Sequence, residues 1–193
     1  MNKIVTRLVR HFFLAVICSF MTTFSYADIP AWKIVPEKSE LTFTAIQNDA
    51  PVSGKFTKFN GKIEFDPAQL ALSRINIVVD MNSVEASYKD LVDTLKSSDW
   101  FDIKVFPNAT FEASKFIHKD KNHYVAEGML TIRDKKIPLQ LMFTLDEYSA
   151  TKARVTGEAV IKRTLVGVGQ GEWKATDVVK DDVKVGFSIE AVR

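Results

Sequence analysis

KIPLQLMFTL, Lys136 to Leu145, sets Ile137, Leu139, Leu141, Phe143 and Leu145 on one phase of a two-residue period. Successive side chains of a strand point to opposite faces, so this spacing predicts a strand with one apolar face. The alternation recurs through Leu41 and Phe43, through Phe59, Gly61, Ile63 and Phe65, and through Ile75, Ile77, Val79 and Met81. It returns in Tyr124 to Ile132, in Val155, Gly157, Ala159 and Ile161, and in Val183 to Ala191. Adding Trp32 to Ile34 and the segment around Phe111 gives about eight strands, joined by polar turns such as HKDKNH and IRDKK. Strands in simple succession predict an all-β, antiparallel up-and-down sheet, and closure into a barrel removes its exposed edges.

A barrel of that size holds either packed side chains or one small ligand. Gly54, Gly61, Ala126, Gly128, Gly157 and Ala159 fall in apolar phases, which suits a hollow interior, although glycines also mark bends and bulges. One stretch reads as a helix: Ser87 and Asp90 make a capping-box-like start, and Tyr88, Leu91 and Leu95 share a stripe. It runs into LKSSDWFDIKVFPNATF, Leu95 to Phe111, where Trp100, Phe101, Phe106 and Phe111 stand among charges. These rings either plug a core or line a cavity.

Residues 1–27 combine Lys3, Arg7 and Arg10 with an apolar run and a small-residue end at Ala27, which predicts a cleavable secretory signal peptide. Residues 28–193 are then one exported domain with no integral membrane segment, placed in the periplasm. The leader carries three of the 26 basic residues, so 23 remain against 24 acidic ones, a net charge of −1. That balance speaks against a nucleic-acid partner. The only cysteine, Cys18, lies in the leader, so the exported domain has no disulfide or thiolate site.

Catalytic signals are sparse. His118 and His123 both fall in a polar turn, no G-x-S-x-G occurs, and GVGQG, Gly167 to Gly171, reads as a flexible turn because no helix follows it. No catalytic residue, metal site or cofactor is expected. Arg163 continues the inward phase of Val155 to Ile161 and needs a partner, either an acid such as Asp99 or a ligand head group.

Several blocks together resemble the YceI-like proteins, a lipocalin-like bacterial polyisoprenoid-binding family: WKIVPEKSELTF, VSGKFTKFNGKIEFDP, the Leu95 to Phe111 run, EGMLTIRDKKIPLQLMF and RTLVGVG. The resemblance implies an eight-stranded barrel with one short helix over one end and a pore holding an isoprenoid, a quinone-like lipid or another long-chain amphiphile. It makes Phe43, Phe56, Ile63, Phe65, Ile77, Val79, Leu139, Leu141, Phe143 and Phe187 lipid contacts along the bore. Leu91, Leu95, Trp100, Phe101, Phe106 and Phe111 form wall and lid, and Arg163 a polar end. Thr164 and Leu165 stand where relatives carry an acid and an aromatic. The expected role is carriage or sequestration by a monomer or homodimer; an enzyme acting on a lipid in the same pocket and a structural or stress-response domain are the alternatives.

Overall fold

The computed structural model describes residues 28–193, so the predicted leader lies outside the described residues. Eleven strand segments and one helix follow in order: β1 (Ala31–Ile34), β2 (Glu40–Gln47), β3 (Ala50–Phe56), β4 (Phe59–Glu64), β5 (Arg74–Asp80), β6 (Val84–Ala86), α1 (Lys89–Lys96), β7 (Asn108–Asp120), β8 (His123–Ile132), β9 (Lys135–Tyr148), β10 (Lys152–Lys162) and β11 (Asp182–Val192). All pairings are antiparallel, and β1 pairs with β11, which closes the sheet.

The eleven segments occupy eight strand positions. β1 and β2 both lie along β11, Ile34 opposite Ala191 and Glu40 opposite Ser188, so they are one strand interrupted at residues 35–39. Pro36 has no N–H for the ladder, and the chain makes a 3₁₀ turn there. Ser39 repairs the break: its hydroxyl donates to the Val35 carbonyl (2.8 Å) and accepts from the Glu190 N–H (3.0 Å). β3 with β4, and β5 with β6, are two further interrupted strands. Their breaks adjoin, because the Thr57 N–H donates to the Ser83 carbonyl and the Lys58 N–H to the Ser83 hydroxyl (3.0 Å).

One local expectation is corrected: Ser87 does not cap α1, and Tyr88 holds the N-cap position without a side-chain cap bond. The β3 segment, which carries Gly54, pairs with β2 through a turn in which Asn48 and Asp49 both have positive φ, 50° and 60°. Both signs match a hairpin turn that follows the twist of its strands.

The two ends of the barrel differ. At one, Trp32, Phe65, Phe116, Tyr124, Phe143 and Tyr148 pack in tilted, edge-to-face and, for Tyr124 on Phe143, stacked pairs at centroid distances of 5.4–5.9 Å, and the Trp32 Nε1–H donates to the Phe65 carbonyl (2.9 Å). At the other stand α1, residues 97–107 and residues 163–181. His118, in the last turnward residues of β7, and His123, the first residue of β8, flank the β7–β8 turn at the first end, where His123 Nδ1 meets Asp120 (2.8 Å).

Candidate ligand-binding cavity

Closing an alternating sheet turns one phase inward, but the inward side chains do not all become buried. Ile75, Ile77, Leu139, Leu141, Phe143, Val155, Val183, Val185 and Phe187 keep intermediate exposure, while the inward Phe43, Phe111, Ala126, Leu130 and Ile161 are buried. A packed interior leaves few voids larger than a water molecule. Here the free surface of these side chains faces a cavity of about 420 Å³, within the range of small-ligand pockets.

Glycines help keep the bore open. A Cβ on Gly54 would strike the Phe43 ring opposite it, one on Gly128 the Phe111 ring, and one on Gly157 the Phe187 ring. Each ring therefore lies against the glycine of a neighbouring strand instead of standing across the bore. Gly157→Ala is expected to cost at least about 1–3 kcal/mol of stability, because the new Cβ would strike the Met142 carbonyl oxygen, which only a backbone shift relieves, as well as the Phe187 ring, which must move toward the cavity. Urea denaturation measures the cost, and a crystal structure of the variant shows the ring.

Of the candidate lipid contacts, Phe43, Phe56, Ile63, Phe65, Ile77, Val79, Leu91, Leu95, Trp100, Phe101, Phe111, Leu139, Leu141, Phe143, Phe187 and Arg163 border the cavity, and Phe106 does not. Phe106 lies beneath the Arg133 guanidinium, 5.6 Å from its ring centroid. Arg133 also donates to the Ser98 carbonyl (2.8 Å) and the Trp100 carbonyl, fastening residues 97–107 to the β8–β9 turn.

The rings that follow α1 have divided roles. Trp100 is buried against Trp173 (5.7 Å), whereas Phe101 is half-buried and meets Phe56 at 5.8 Å across the cavity wall. Phe101→Ala is therefore expected to cost the empty protein about 1 kcal/mol, and Trp100→Ala about 3 kcal/mol, as for a packed ring. Thermal unfolding of the two variants side by side checks the contrast.

Trp173, Val166, Val168 and Val179 border the cavity from residues 163–181, a segment of which only Gly167 to Gly171 was read above as a turn. That segment is ordered by Arg163, which is 2% exposed. Its Nε–H donates to the Lys180 carbonyl (3.2 Å), Nη1 to Val168 (3.2 Å) and Gly169 (3.1 Å), and Nη2 to Ala175 (2.7 Å) and Val179 (2.8 Å). A guanidinium has five N–H groups, and all five are taken. The expected pair with Asp99 is not formed, and no N–H is left for a head group. Asp99 instead accepts the Gln170 N–H on its backbone carbonyl (2.7 Å).

The flexible reading of GVGQG is corrected in the same way. Gly167, Gly169 and Gly171 have φ of 69°, 74° and 61°, and a Cβ on Gly169 would fall on Arg163 Nη1. These residues wrap a cage around a cation. Burial lowers the Arg163 pKa from its ordinary value, and the Asp181 charge opposes that shift. Burial raises the Asp181 carboxyl, but bonds from the Thr164 hydroxyl (2.7 Å) and N–H (3.1 Å), with Lys162 and Arg163 nearby, hold it below its ordinary value. Thr164 thus fixes the start of the cage, and Leu165 is exposed.

The remaining polar side chains on the lining are few: Gln47, Tyr88, Asp90 and Thr94 at the α1 end, and the indoles. The Trp100 Nε1–H is sealed from solvent and has no hydrogen-bond partner. Among the described residues, no group of three or more His, Cys, Asp or Glu side chains is placed to hold a metal ion.

A model of the YceI-like domain matches residues 32–191. A UPF0312 protein of Vibrio cholerae serotype O1 is 25% identical over 122 residues, 63% of this chain and 54% of the relative. One from Yersinia enterocolitica is 30% identical over 88 residues, 46% of this chain and 45% of the relative. The chain thus spans about half the length of the curated relatives it matches. Among solved structures, Burkholderia cenocepacia BcnA superposes with a TM-score of 0.77 at 32% identity, covering 81% of this chain and 98% of that one. A polyisoprenoid binding domain from Saccharophagus degradans, implicated in plant cell wall breakdown, gives 0.68 at 14% identity, covering 83% and 97%; at that identity the likeness concerns the fold alone.

Proposed function

The chain belongs to the YceI-like family, and from that premise we propose that it encloses a single long-chain lipid, an isoprenoid or similar amphiphile, in the bore of its barrel. The observation that carries this reading is the free apolar surface on inward side chains around a cavity bordered at one end by packed aromatic rings. A released polyprenyl chain exposes about 0.8 kcal/mol of unfavourable surface per methylene-sized unit in water, and a bore of this kind removes it. A domain of the same fold from Saccharophagus degradans is a polyisoprenoid binding domain, so the fold itself is one that can take this ligand class.

Binding without turnover suits a lining made mostly of apolar side chains, and both histidines sit exposed at the ends of β7 and β8, at the opposite end from α1. The signal-like first 27 residues support a periplasmic carrier that holds or transfers the lipid across water. Native mass spectrometry of protein purified from its own periplasm tests the reading. One lipid per chain, together with a rise in Tm of the stripped protein when that lipid is restored, is the expected result. A stripped protein whose Tm no long-chain lipid moves would sink it.

A further inference from the structure

Phe65, the residue after β4, is buried and borders the cavity, and its ring meets rings from three other strands: Phe116 of β7 at 5.4 Å, Tyr124 of β8 at 5.9 Å and Phe143 of β9 at 5.9 Å. In the closed order of eight strand positions, β4 and β9 stand four apart, directly across the bore. Rings at that separation are in contact, so Phe65 and Phe143 form a bridge from one wall to the opposite one. Trp32 of β1 and Tyr148 of β9, three positions apart, make a second bridge at 5.4 Å. Around them Phe116, Leu145, Ala153 and Ala191 are buried, whereas on the α1 side Ile63, Leu141 and Phe143 itself keep free surface. The open bore therefore ends at the rings.

We propose that the Phe65–Phe143 bridge is the floor that sets the length of lipid chain the protein holds: a hydrocarbon tail enters from the α1 end, and binding improves with each added isoprene unit until the far end meets Phe65. The inference rests on the lipid-binding reading and adds a chain-length limit, the residue that sets it and the direction of the tail. The polar side chains Gln47, Tyr88, Asp90 and Thr94 stand on the lining at the α1 end, where Tyr88 and Asp90 are exposed to water. The rings bordering the cavity at the other end are Trp32, Phe65, Phe116 and Phe143, whose one polar atom, the Trp32 indole nitrogen, already donates to the Phe65 carbonyl. A head group driven against that floor would lose its partners, so the apolar end goes first. Each unit inside the bore takes apolar surface out of water, and a unit beyond the floor's reach stays outside and adds nothing.

The test uses the protein stripped of lipid and all-trans prenols of increasing length, from geraniol through farnesol and geranylgeraniol to solanesol. Affinity is expected to rise at least about 10-fold per added isoprene unit up to a break, and by less than about 2-fold per unit beyond it. Phe65→Ala deletes a ring somewhat larger than one isoprene unit. It is expected to move the break to a prenol one unit longer, while prenols shorter than the break keep their affinity within about 2-fold. If the variant folds poorly, NMR of the unaltered protein still gives the answer: a ¹³C-labelled ω-methyl of the prenol at the break should contact the Phe65 and Phe143 rings, and the hydroxyl-bearing carbon should not. Affinity that climbs all the way to solanesol, a break that Phe65→Ala leaves in place, equal weakening at every length, or ω-methyl contacts at α1 instead of the rings overturns the inference and leaves the lipid reading standing. Binding of none of the prenols overturns both.

Discussion

Arg163→Met lowers the stability of the protein by about 4–5 kcal/mol, the range of a diagnostic loss, and its Tm by about 10 °C or more. Methionine keeps much of the length and apolar contact but brings no donor. The carbonyls of Val168, Gly169, Ala175, Val179 and Lys180 then face one another across a gap that an apolar side chain fills. Each buried acceptor left without a partner costs about 1–3 kcal/mol, and rehydration of the segment recovers only part of the sum. Arg163→Lys should restore less than half, since three donors on a point charge do not match five carbonyls arranged for a planar fork. Amide exchange across residues 163–181 should rise in both variants, and lipid binding should weaken because Trp173, Val168 and Val179 leave the wall. Urea denaturation within about 1 kcal/mol of the unaltered protein would show that these carbonyls find other partners.

Leu141→Trp gives the opposite pair of readouts. Leu141 points inward from β9 and still has free surface, so an indole placed there extends into the empty bore and not into neighbouring side chains. The empty protein is expected to keep its stability within about 1 kcal/mol, whereas overpacking a filled core usually costs about 1–3 kcal/mol. Lipid at about 100 times its Kd, which stabilises the unaltered protein by about 2.7 kcal/mol, should stabilise this variant by less than about 0.5 kcal/mol. Paired melts with and without lipid measure both quantities. Large destabilisation with lipid binding retained would mean that the interior closes around its own side chains.

The long strands were legible because their chemistry is local: in β9, β10 and β11, residues two apart share an environment, and the alternation records it. β3 was only faintly marked, by the phase of Gly54 beside Pro51, and Gly54 is small because the Phe43 ring lies on it, a fact held by another strand. Phe106 was misplaced because a loop has no periodic phase from which to infer direction. The cage around Arg163 was illegible for a different reason. Its ligands are backbone carbonyls, which every residue possesses, so no side-chain pattern announces them. Glycines at positive φ then looked like freedom of movement when they were the condition for close approach.

The pairing of β1 with β11, Lys33 opposite Val192, carries a consequence for how the molecule forms. The first and last described strands must meet before the sheet is continuous, so contacts distant along the chain dominate the search, and such topologies fold slowly, in milliseconds to seconds. Until β11 docks, β10 lacks a neighbour on one side and the β1–β2 strand on another, leaving two edges able to accept a strand from a second chain. Refolding yield should therefore fall as protein concentration rises, because the two edges are covered only once β11 has paired with β10 and with β2, and a chain ending before Asp182 should aggregate at any concentration where the whole chain still folds.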